Sequence, residues 1–447
     1  MSRALPRIRA ASASTLHFYA MSSGCCRAGV FRSSRPLPSC NGRRAVSKRT
    51  VTKEELERPL VPYRDALDQI VSAFSALPPE AVPLERALGL VLAEPIVAAF
   101  DVPGFDNSAM DGYAVRAADA KPGAVLRLID DLPAGSDPQV EIGPGTAATI
   151  MTGAPLPPGA DAVVPWEDTE RRETEVLVLG ETSKGKHVRP AGEDVRAGDE
   201  VVPAGTELRA IHVGVIASLG LTEVLAHRRP RVAILSTGDE LAAPGDALEP
   251  GHVYDANRSL LAAMCARAGA EIDATALIGD EPEVIAAWLR QVARHADLIV
   301  TTGGASVGEH DWIRAILEAE GDLSLWRIAI KPGKPVAFGR FEGTPVLGLP
   351  GNPGSAFVGM HVFVARAIRA MAARSVDPPS ARARLAAAVK GSPSRTLFCR
   401  VRLEGETAVP LPAQSSVVLS NLIPADGFAI VPPCGLPEGA DVTVEMI

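Results

Sequence analysis

Between residues 230 and 376 the chain alternates strand-like with helix-like runs, and the strand ends carry glycine-rich turns; no other feature limits the fold so tightly. The strand candidates are RVAILS (231–236), EIDATALI (271–278), DLIVT (297–301) and a pair near 325–330 and 345–349. Helical runs near 257–268, 282–294, 312–320 and 355–373 alternate with them. The first helix runs into Gly269, a good C-cap, and the second opens beside Glu281 and Glu283, where the helix dipole favours acids. This alternation predicts a doubly wound, mainly parallel α/β sheet. Ligands of such sheets bind beyond the carboxyl ends of the strands. There the chain places four turns: 236–240 (STGDE), 301–311 (TTGGASVGEHD), 331–335 (KPGKP) and 349–355 (LPGNPGS). One cleft is expected to hold all four.

Singly, each turn is a weak signal, because glycine at a strand-to-helix junction is ordinary turn chemistry. Jointly they offer free backbone N–H groups, hydroxyls, two lysines and several carboxylates. That mixture suits a multiply charged phosphate or oxyanion held in part through a divalent metal. Lys334 is followed by Pro335 and no GxxxxGK[ST] occurs, so this is no P-loop; no GxGxxG dinucleotide fingerprint is present either.

At 447 residues, several domains are expected. Residues 63–75 place Leu67, Ile70, Val71 and Phe74 at amphipathic-helix spacing, and a second helix is expected over 84–94, before Pro95. From 98 to 189 short strand-like runs (125–129, 147–151, 162–164, 175–179) are punctuated by Pro and Gly, as in a β-rich insertion. Turns and a helix-like IHVGVIASL follow, so residues 51–97 and 190–229 are expected to pack as one discontinuous helical domain. Residues 377–447 (RARLAAAV, TLFCRVRL, GFAIVPP, DVTVEMI) read as a small β-barrel.

The first fifty residues stand apart. Nine Arg, one Lys and no acid give them +10 against -8 for the whole chain, and half of the six Cys lie here. Such a leader resembles a mitochondrial transit peptide. The preferred reading, with Arg outnumbering Lys 37 to 8, is GC-rich coding translated from a start codon placed too far upstream. Residues 1–50 are therefore set aside from the fold. The acidic remainder argues against a nucleic-acid or anionic-membrane partner, and aromatics at 4% leave few stacking platforms. No apolar run approaches the roughly 18 residues of a membrane span. The cysteines form no CxxC pair and no disulfide framework, which favours a reducing cytoplasm.

Three further stretches concentrate polar chemistry. Residues 101–116 crowd Asp101, Asp106 and Asp111 with Asn107 and Ser108 in a segment with almost no helix or strand period, where a linking loop with solvated acids is the plain alternative. Thr152 ends a strand-like run and would serve equally as a turn hydroxyl. Residues 189–194 combine Arg189 with Glu193 and Asp194, where a surface salt bridge would suffice.

Together DNSAMDGYAV (106–115), MTGAP (151–155), RPAGEDV (189–195), STGDEL (236–241), TTGGASVGEHDW (301–312), IKPGKPVAFG (330–339) and LPGNPGSA (349–356) resemble the MoeA family. Its members, the gephyrin C-terminal region among them, are molybdopterin molybdenumtransferases. The resemblance runs from about residue 55 to the C-terminus. It implies a homodimer of four-domain subunits that takes adenylylated molybdopterin and molybdate, releases AMP with Mg²⁺, and leaves molybdenum on the pterin dithiolene. Other proteins of molybdenum cofactor synthesis would be its partners.

The resemblance carries over to particular residues. Asp111, Glu240 and Asp311 become the catalytic carboxylates and hard oxygen ligands for the metal. Thr152, Asp194, Thr237 and Gly238 become substrate contacts, as do Gly303, Gly304, Ser306 and Gly308 in the long turn and Pro350, Asn352 and Pro353 in the last. Molybdate, a tetrahedral dianion, calls for cations and donors, and the family pattern points to Lys331, Lys334, Ser355, Arg395 and Ser416. QSSVVLS also admits Ser415, and SRTLFCR lacks the proline and acid that often follow the arginine. Gly354 stands where many relatives have Val, and Trp312 where many have Tyr. Two other functions share part of this pattern: an adenylyltransferase built on the 230–376 module alone, and a non-catalytic scaffold. The first would lack the insertion and the barrel, and the second would carry a fused upstream adenylyltransferase domain.

Overall fold

The computed structural model describes residues 57–304 and 312–447. Its organising element is a six-stranded sheet. In spatial order the strands are Glu271–Ile278, Arg231–Thr237, Leu298–Thr302, Thr344–Leu349, Ala337–Phe341 and Asp322–Trp326. The first four are mutually parallel and the last two antiparallel. Helices Ala256–Ala268 and 353–371 cover one face, with Leu261, Phe363 and Ile368 in the core; helices Pro282–Val292 and Trp312–Glu320 cover the other, around Ile285, Leu289 and Ile316. Strands buried on both faces read as continuous apolar runs, which is why 231–236 and 298–301 stand out in the sequence. The left-handed Gly269 closes the first helix, and Pro282 opens the next at its N-terminus.

The strand expected near 325–330 ends earlier, at Trp326, because Arg327 takes a positive φ of 63°. Ile330–Lys331 then pairs in parallel with Thr396–Leu397 of the C-terminal unit. In that unit Thr396–Glu404, Thr407–Pro410, Ser380–Leu385, Asp441–Met446 and Gly427–Val431 pair in turn, and the first strand also pairs with the last, closing a small barrel.

The helix expected over 84–94 does not form. Leu84–Arg86 is a single 3-10 turn, Gly89 turns the chain at φ +76°, and Val91–Leu92 is a strand on His227 and Ala226. The apolar spacing that imitates a helix instead fills a β core, with Leu84, Leu90 and Leu92 packed near Ile216 and Val224. Pro79–Pro83 pairs with Glu223–His227, and Ile96–Val97 with Glu200–Val202, so the two segments flanking the insertion are joined mainly by β hydrogen bonds. Their helices are Tyr63–Ser72, packed on the α/β unit through Ala66 and Ile70, and Ala210–Ser218.

The insertion holds a second six-stranded sheet, and one of its inner strands, Gly112–Val115, between Ala162–Pro165 and Thr146–Ile150, comes from the stretch that shows no period in the sequence. All four residues are buried, Tyr113 and Val115 on one face and Ala114 on the other, so no polar alternation marks them. Asn107–Ser108 pairs with Val188–Arg189. Asp106 Oδ1 accepts from Ala191 N at 2.8 Å and Asp101 Oδ1 from Ala197 N at 2.8 Å. Those two acids brace loops.

The helix 353–371 is interrupted by a π turn, Met360–Val364, whose freed carbonyls at His361 and Val362 accept from Arg366 Nη1. Arg366 Nη2 also donates to Glu445 Oε1 at 2.7 Å, and His361 Nε2 lies 3.1 Å from Glu445 Oε2, which joins helix to barrel through a buried triad. Burial raises the Glu445 carboxyl, but the hydrogen bond from His361 and the charge of Arg366 outweigh it and hold the group below the usual carboxylate range. Burial pushes the His361 imidazole down. Glu445→Gln leaves Arg366 buried beside only the solvent-exposed Asp377, so a loss of about 3–5 kcal/mol is expected by urea denaturation. The wild-type contribution is complete above the unfolded carboxylate pKa of about 4.3 and is lost as pH falls through the lower folded value. Equal stability of the two proteins at neutral pH would contradict it.

Candidate functional site

The carboxyl ends of the parallel strands converge on one cavity of about 560 Å³. Thr237, Gly238 and Glu240 form one side, Gly303 and Gly304 the middle, and Pro350, Asn352, Pro353 and Ser355 the other side. Pro335, from the fourth glycine-rich turn, also lines it. The strand-end loops touch through backbone: a Cβ on Gly303 would lie 2.1 Å from the Thr237 carbonyl oxygen, and Gly303 has φ +83°. Only glycine satisfies both conditions.

The cavity also contains residues that sequence reasoning missed. Asp255 caps the helix 256–268, its carboxylate accepting from Arg258 N at 3.1 Å and from Ser236 Oγ at 3.0 Å. One turn in, Asn257 Nδ2 donates to Thr302 Oγ1 at 2.9 Å and to Gly351 O at 2.7 Å, stapling two of the loops together. Asn257 Oδ1 and Thr237 Oγ1 are buried without a partner among the described residues, so a bound ligand has a donor and an acceptor to satisfy. Asp280 also lines the cavity, its backbone N–H donating to Asp239 Oδ1 at 2.9 Å beside the 236–240 turn. The available sequence signal was an Asp before an otherwise apolar helix, which reads as an N-cap.

Lys334, Lys331 and Arg395 are not among the residues lining this cavity; Lys334 precedes Pro335, which is, and Arg327 lines a separate depression. Burial pushes the Lys334 ammonium below the usual lysine range, and the charges of Arg327 and Arg395 push the same way, so the three share one field. Arg327 was absent from the sequence reading. Lys331 is exposed, at the end of the strand that reaches the barrel. Gly333 lies over the first turn of helix 353–371, where a Cβ would sit 3.6 Å from Ser355 O. Ser416 meets that turn from the barrel: its carbonyl accepts from Gly354 N at 2.8 Å and its hydroxyl from Asn352 Nδ2 at 3.3 Å. Of the two candidate serines, it is therefore Ser416 that faces the turn.

Asp111, Thr152 and Asp194 are not among the residues lining this cavity. Asp111 Oδ1 accepts from Thr152 N at 2.7 Å and from Thr152 Oγ1 at 2.8 Å, and these bonds hold the carboxyl below the usual range, ionised at neutral pH. Asp194 lines a shallow depression on the insertion with Arg189, Asn107 and Gly153. Ser306, Gly308 and Asp311 lie outside the described residues. Among the described residues no three His, Cys, Asp or Glu cluster as metal ligands, and no helix is long and apolar enough to cross a membrane.

The chain matches three family descriptions in order: MoeA N-terminal region (domain I and II) over residues 61–220, probable molybdopterin binding domain over 233–370, and MoeA C-terminal region (domain IV) over 382–447. Molybdopterin molybdenumtransferase 2 of Mycobacterium tuberculosis is 39% identical over 378 residues, covering 81% of this chain and 93% of the relative. The molybdopterin molybdenumtransferase of Staphylococcus aureus is 31% identical over 398 residues, covering 87% and 95%. A crystal structure of the molybdopterin biosynthesis MoeA protein from Pyrococcus horikoshii superposes with a TM-score of 0.73 at 35% identity, covering 87% of this chain and 99% of that one. With sequence, fold and strand-end cavity in agreement, the chain belongs to the MoeA family and is a transferase of molybdenum cofactor biosynthesis.

Proposed function

We propose that this chain inserts molybdate into adenylylated molybdopterin with Mg²⁺-dependent release of AMP, working in the cytoplasm as a homodimer whose active site is shared between subunits. The observation that carries this reading is the division of charge around the 350–355 turn. The cavity presents Glu240, Asp280 and unpaired polar atoms, with Ser355 on its wall; Lys334 directly precedes Pro335 on that wall and lies in the field of Arg395, and Ser416 is bonded to Asn352. A substrate joining a pyrophosphate to a site of oxyanion attack needs both halves within one molecule's reach.

Each group has work suited to its chemistry. Thr237, Gly238, Gly303 and Asn257 offer donors and acceptors to the phosphates, together with Gly304, Pro350, Asn352 and Pro353 on the cavity wall. Ser306 and Gly308 belong to the same turn by sequence. Mg²⁺ keeps most of its waters and needs only one or two carboxylates, so the exposed Glu240 fits it, with Asp111 and Asp311 as the other carboxylates that would hold it. When bound, the ion neutralises the pyrophosphate and favours loss of AMP. Lys331, Lys334 and Arg395 compensate the molybdate dianion, while the Ser355 and Ser416 hydroxyls donate to its oxygens. Thr152 fixes Asp111, and Asp194 adds to the acidic surface that the insertion presents. The three described cysteines are free thiols, consistent with a reducing compartment.

The direct test is AMP release from adenylylated molybdopterin by the purified protein, expected only when molybdate and Mg²⁺ are both present. Release indifferent to molybdate would refute the assignment. Lys334→Ala should raise the molybdate concentration for half-maximal release about tenfold or more, the value of a hydrogen bond to a charged group. Because the Lys334 pKa is depressed, its charge disappears as pH rises while an ordinary lysine, at about 10.4, is still protonated. Molybdate affinity should therefore decline on the alkaline side in wild type, and the decline should vanish in Lys334→Arg. Identical pH profiles would count against Lys334.

The shared site is tested by complementation. Asp111→Ala and Glu240→Ala chains should each be inactive, and subunit exchange should give heterodimers with one intact site and about half of wild-type activity. Heterodimers that form and stay inactive would place both residues in a site within one chain.

A further inference from the structure

Arg400 is the largest of the fully buried side chains, 1% exposed on the barrel strand Thr396–Glu404. Among the described residues its guanidinium meets only neutral oxygens, with no carboxylate in contact: Nη1 donates to Val418 O at 2.8 Å and to Asn421 Oδ1, and Nη2 to Ser415 O at 3.3 Å. A buried cation without a counter-ion is a poor device for stability alone, since apolar side chains of similar volume often serve a core as well or better.

What the guanidinium does hold is the irregular 411–421 loop. Asn421, fixed at Oδ1 by Arg400, donates through Nδ2 to Pro412 O and Ala413 O, both at 2.8 Å. Gln414 accepts from Arg400 N at 3.0 Å and donates back to Arg400 O at 2.9 Å. The loop thus takes its shape from one arginine, and it carries Ser416. The other neighbour of the guanidinium is Gly354, at the first turn of helix 353–371. A Cβ there would lie 2.2 Å from Arg400 Nη2 and 2.8 Å from Ser416 O. Gly354 has no left-handed φ to require glycine; the space taken by Arg400 and Ser416 requires it.

We propose that Arg400 is a positioning residue of the oxyanion pocket, a fork beneath the 411–421 loop that seats Ser416 against Asn352 and Gly354 and so completes the molybdate site from the barrel side. The proposal rests on the reading of that pocket as the molybdate site. It assigns Arg400 no contact with substrate. Lysine is an inadequate replacement, because a single ammonium cannot span three acceptors fixed by a planar fork.

The test uses the full-length protein, with two readouts: molybdate binding by equilibrium dialysis and the molybdate dependence of AMP release. Arg400→Met and Arg400→Lys should both raise the half-saturating molybdate about tenfold, as loss of one hydrogen bond to a charged group does, while the rate at saturating molybdate stays within about twofold. Ser416→Ala should match them, and Ser416→Ala combined with Arg400→Met should add nothing further, because both remove the same contact. A fully multiplicative double variant, or an Arg400→Met protein with wild-type molybdate affinity, overturns the proposal. If Arg400→Met does not fold, Asn421→Ala carries the test, since it leaves the guanidinium buried and frees the loop; unchanged affinity there is equally fatal. Lys334→Ala separates the two levels. If it weakens molybdate binding and the Arg400 and Asn421 variants do not, the Arg400 role alone is wrong. If neither Lys334→Ala nor Ser416→Ala has an effect, the pocket reading fails and takes this one with it.

Discussion

After the α/β sheet's strand ends at Trp326, two residues, Ile330 and Lys331, join the barrel sheet, and the architecture of the site depends on that crossing. Their parallel pairing with Thr396 and Leu397, together with the hydrogen bond from Thr396 N to Ala329 O at 2.9 Å, joins the α/β unit to the barrel through backbone. The turn 331–335 follows at once and lies over Ser355. Arg395 immediately precedes the partner strand and comes within the field of Lys334. Segments separated by tens of residues are thereby brought together, with backbone pairing setting their register.

Charge in this molecule is segregated by burial. Where the barrel packs on helix 353–371, a buried triad of Arg366, His361 and Glu445 is joined by hydrogen bonds, which makes the junction specific in orientation. Around the ligand cavity, polar groups are instead left incomplete: Thr237 Oγ1 and Asn257 Oδ1 have no partner among the described residues, and nearby burial and the charges of Arg327 and Arg395 push the Lys334 ammonium down. Unsatisfied donors and crowded like charges cost free energy in a folded chain. At Thr237 and Asn257 the unpaired atoms lie on the strand-end cavity, where a polar ligand would satisfy them.

Elements defined by local pattern were legible in advance. Glu271–Ile278 and Trp312–Glu320 have the bounds that their apolar periodicity suggests, because burial on a sheet or against one helix face imposes that pattern directly. Failures arose where tertiary pairing used the same residues differently. Leu84, Leu90 and Leu92 are spaced as in a helix but fill a β core, and Gly112–Val115, buried on both faces, carries no alternation to detect. Ala337–Phe341 was also missed, a short antiparallel strand between two turns. Of the site, the glycine-rich turns were visible because close backbone approach demands glycine; Asp255, Asn257 and Arg327 were not, because a single polar residue on a helix or strand looks solvated until its neighbours are known.

From the amino-acid order alone come the α/β alternation, the placement of four glycine-rich turns at strand ends, the barrel and the family. These are carried by local periodicity and by motifs whose spacing has a direct physical meaning. Only the tertiary structure decided that a two-residue strand would stitch the α/β unit to the barrel, that Ser416 rather than Ser415 would face the 352–355 turn, and that Gly354 would be needed for the volume of Arg400. Such choices depend on side chains far apart in the chain competing for one small space, and no local pattern records that competition.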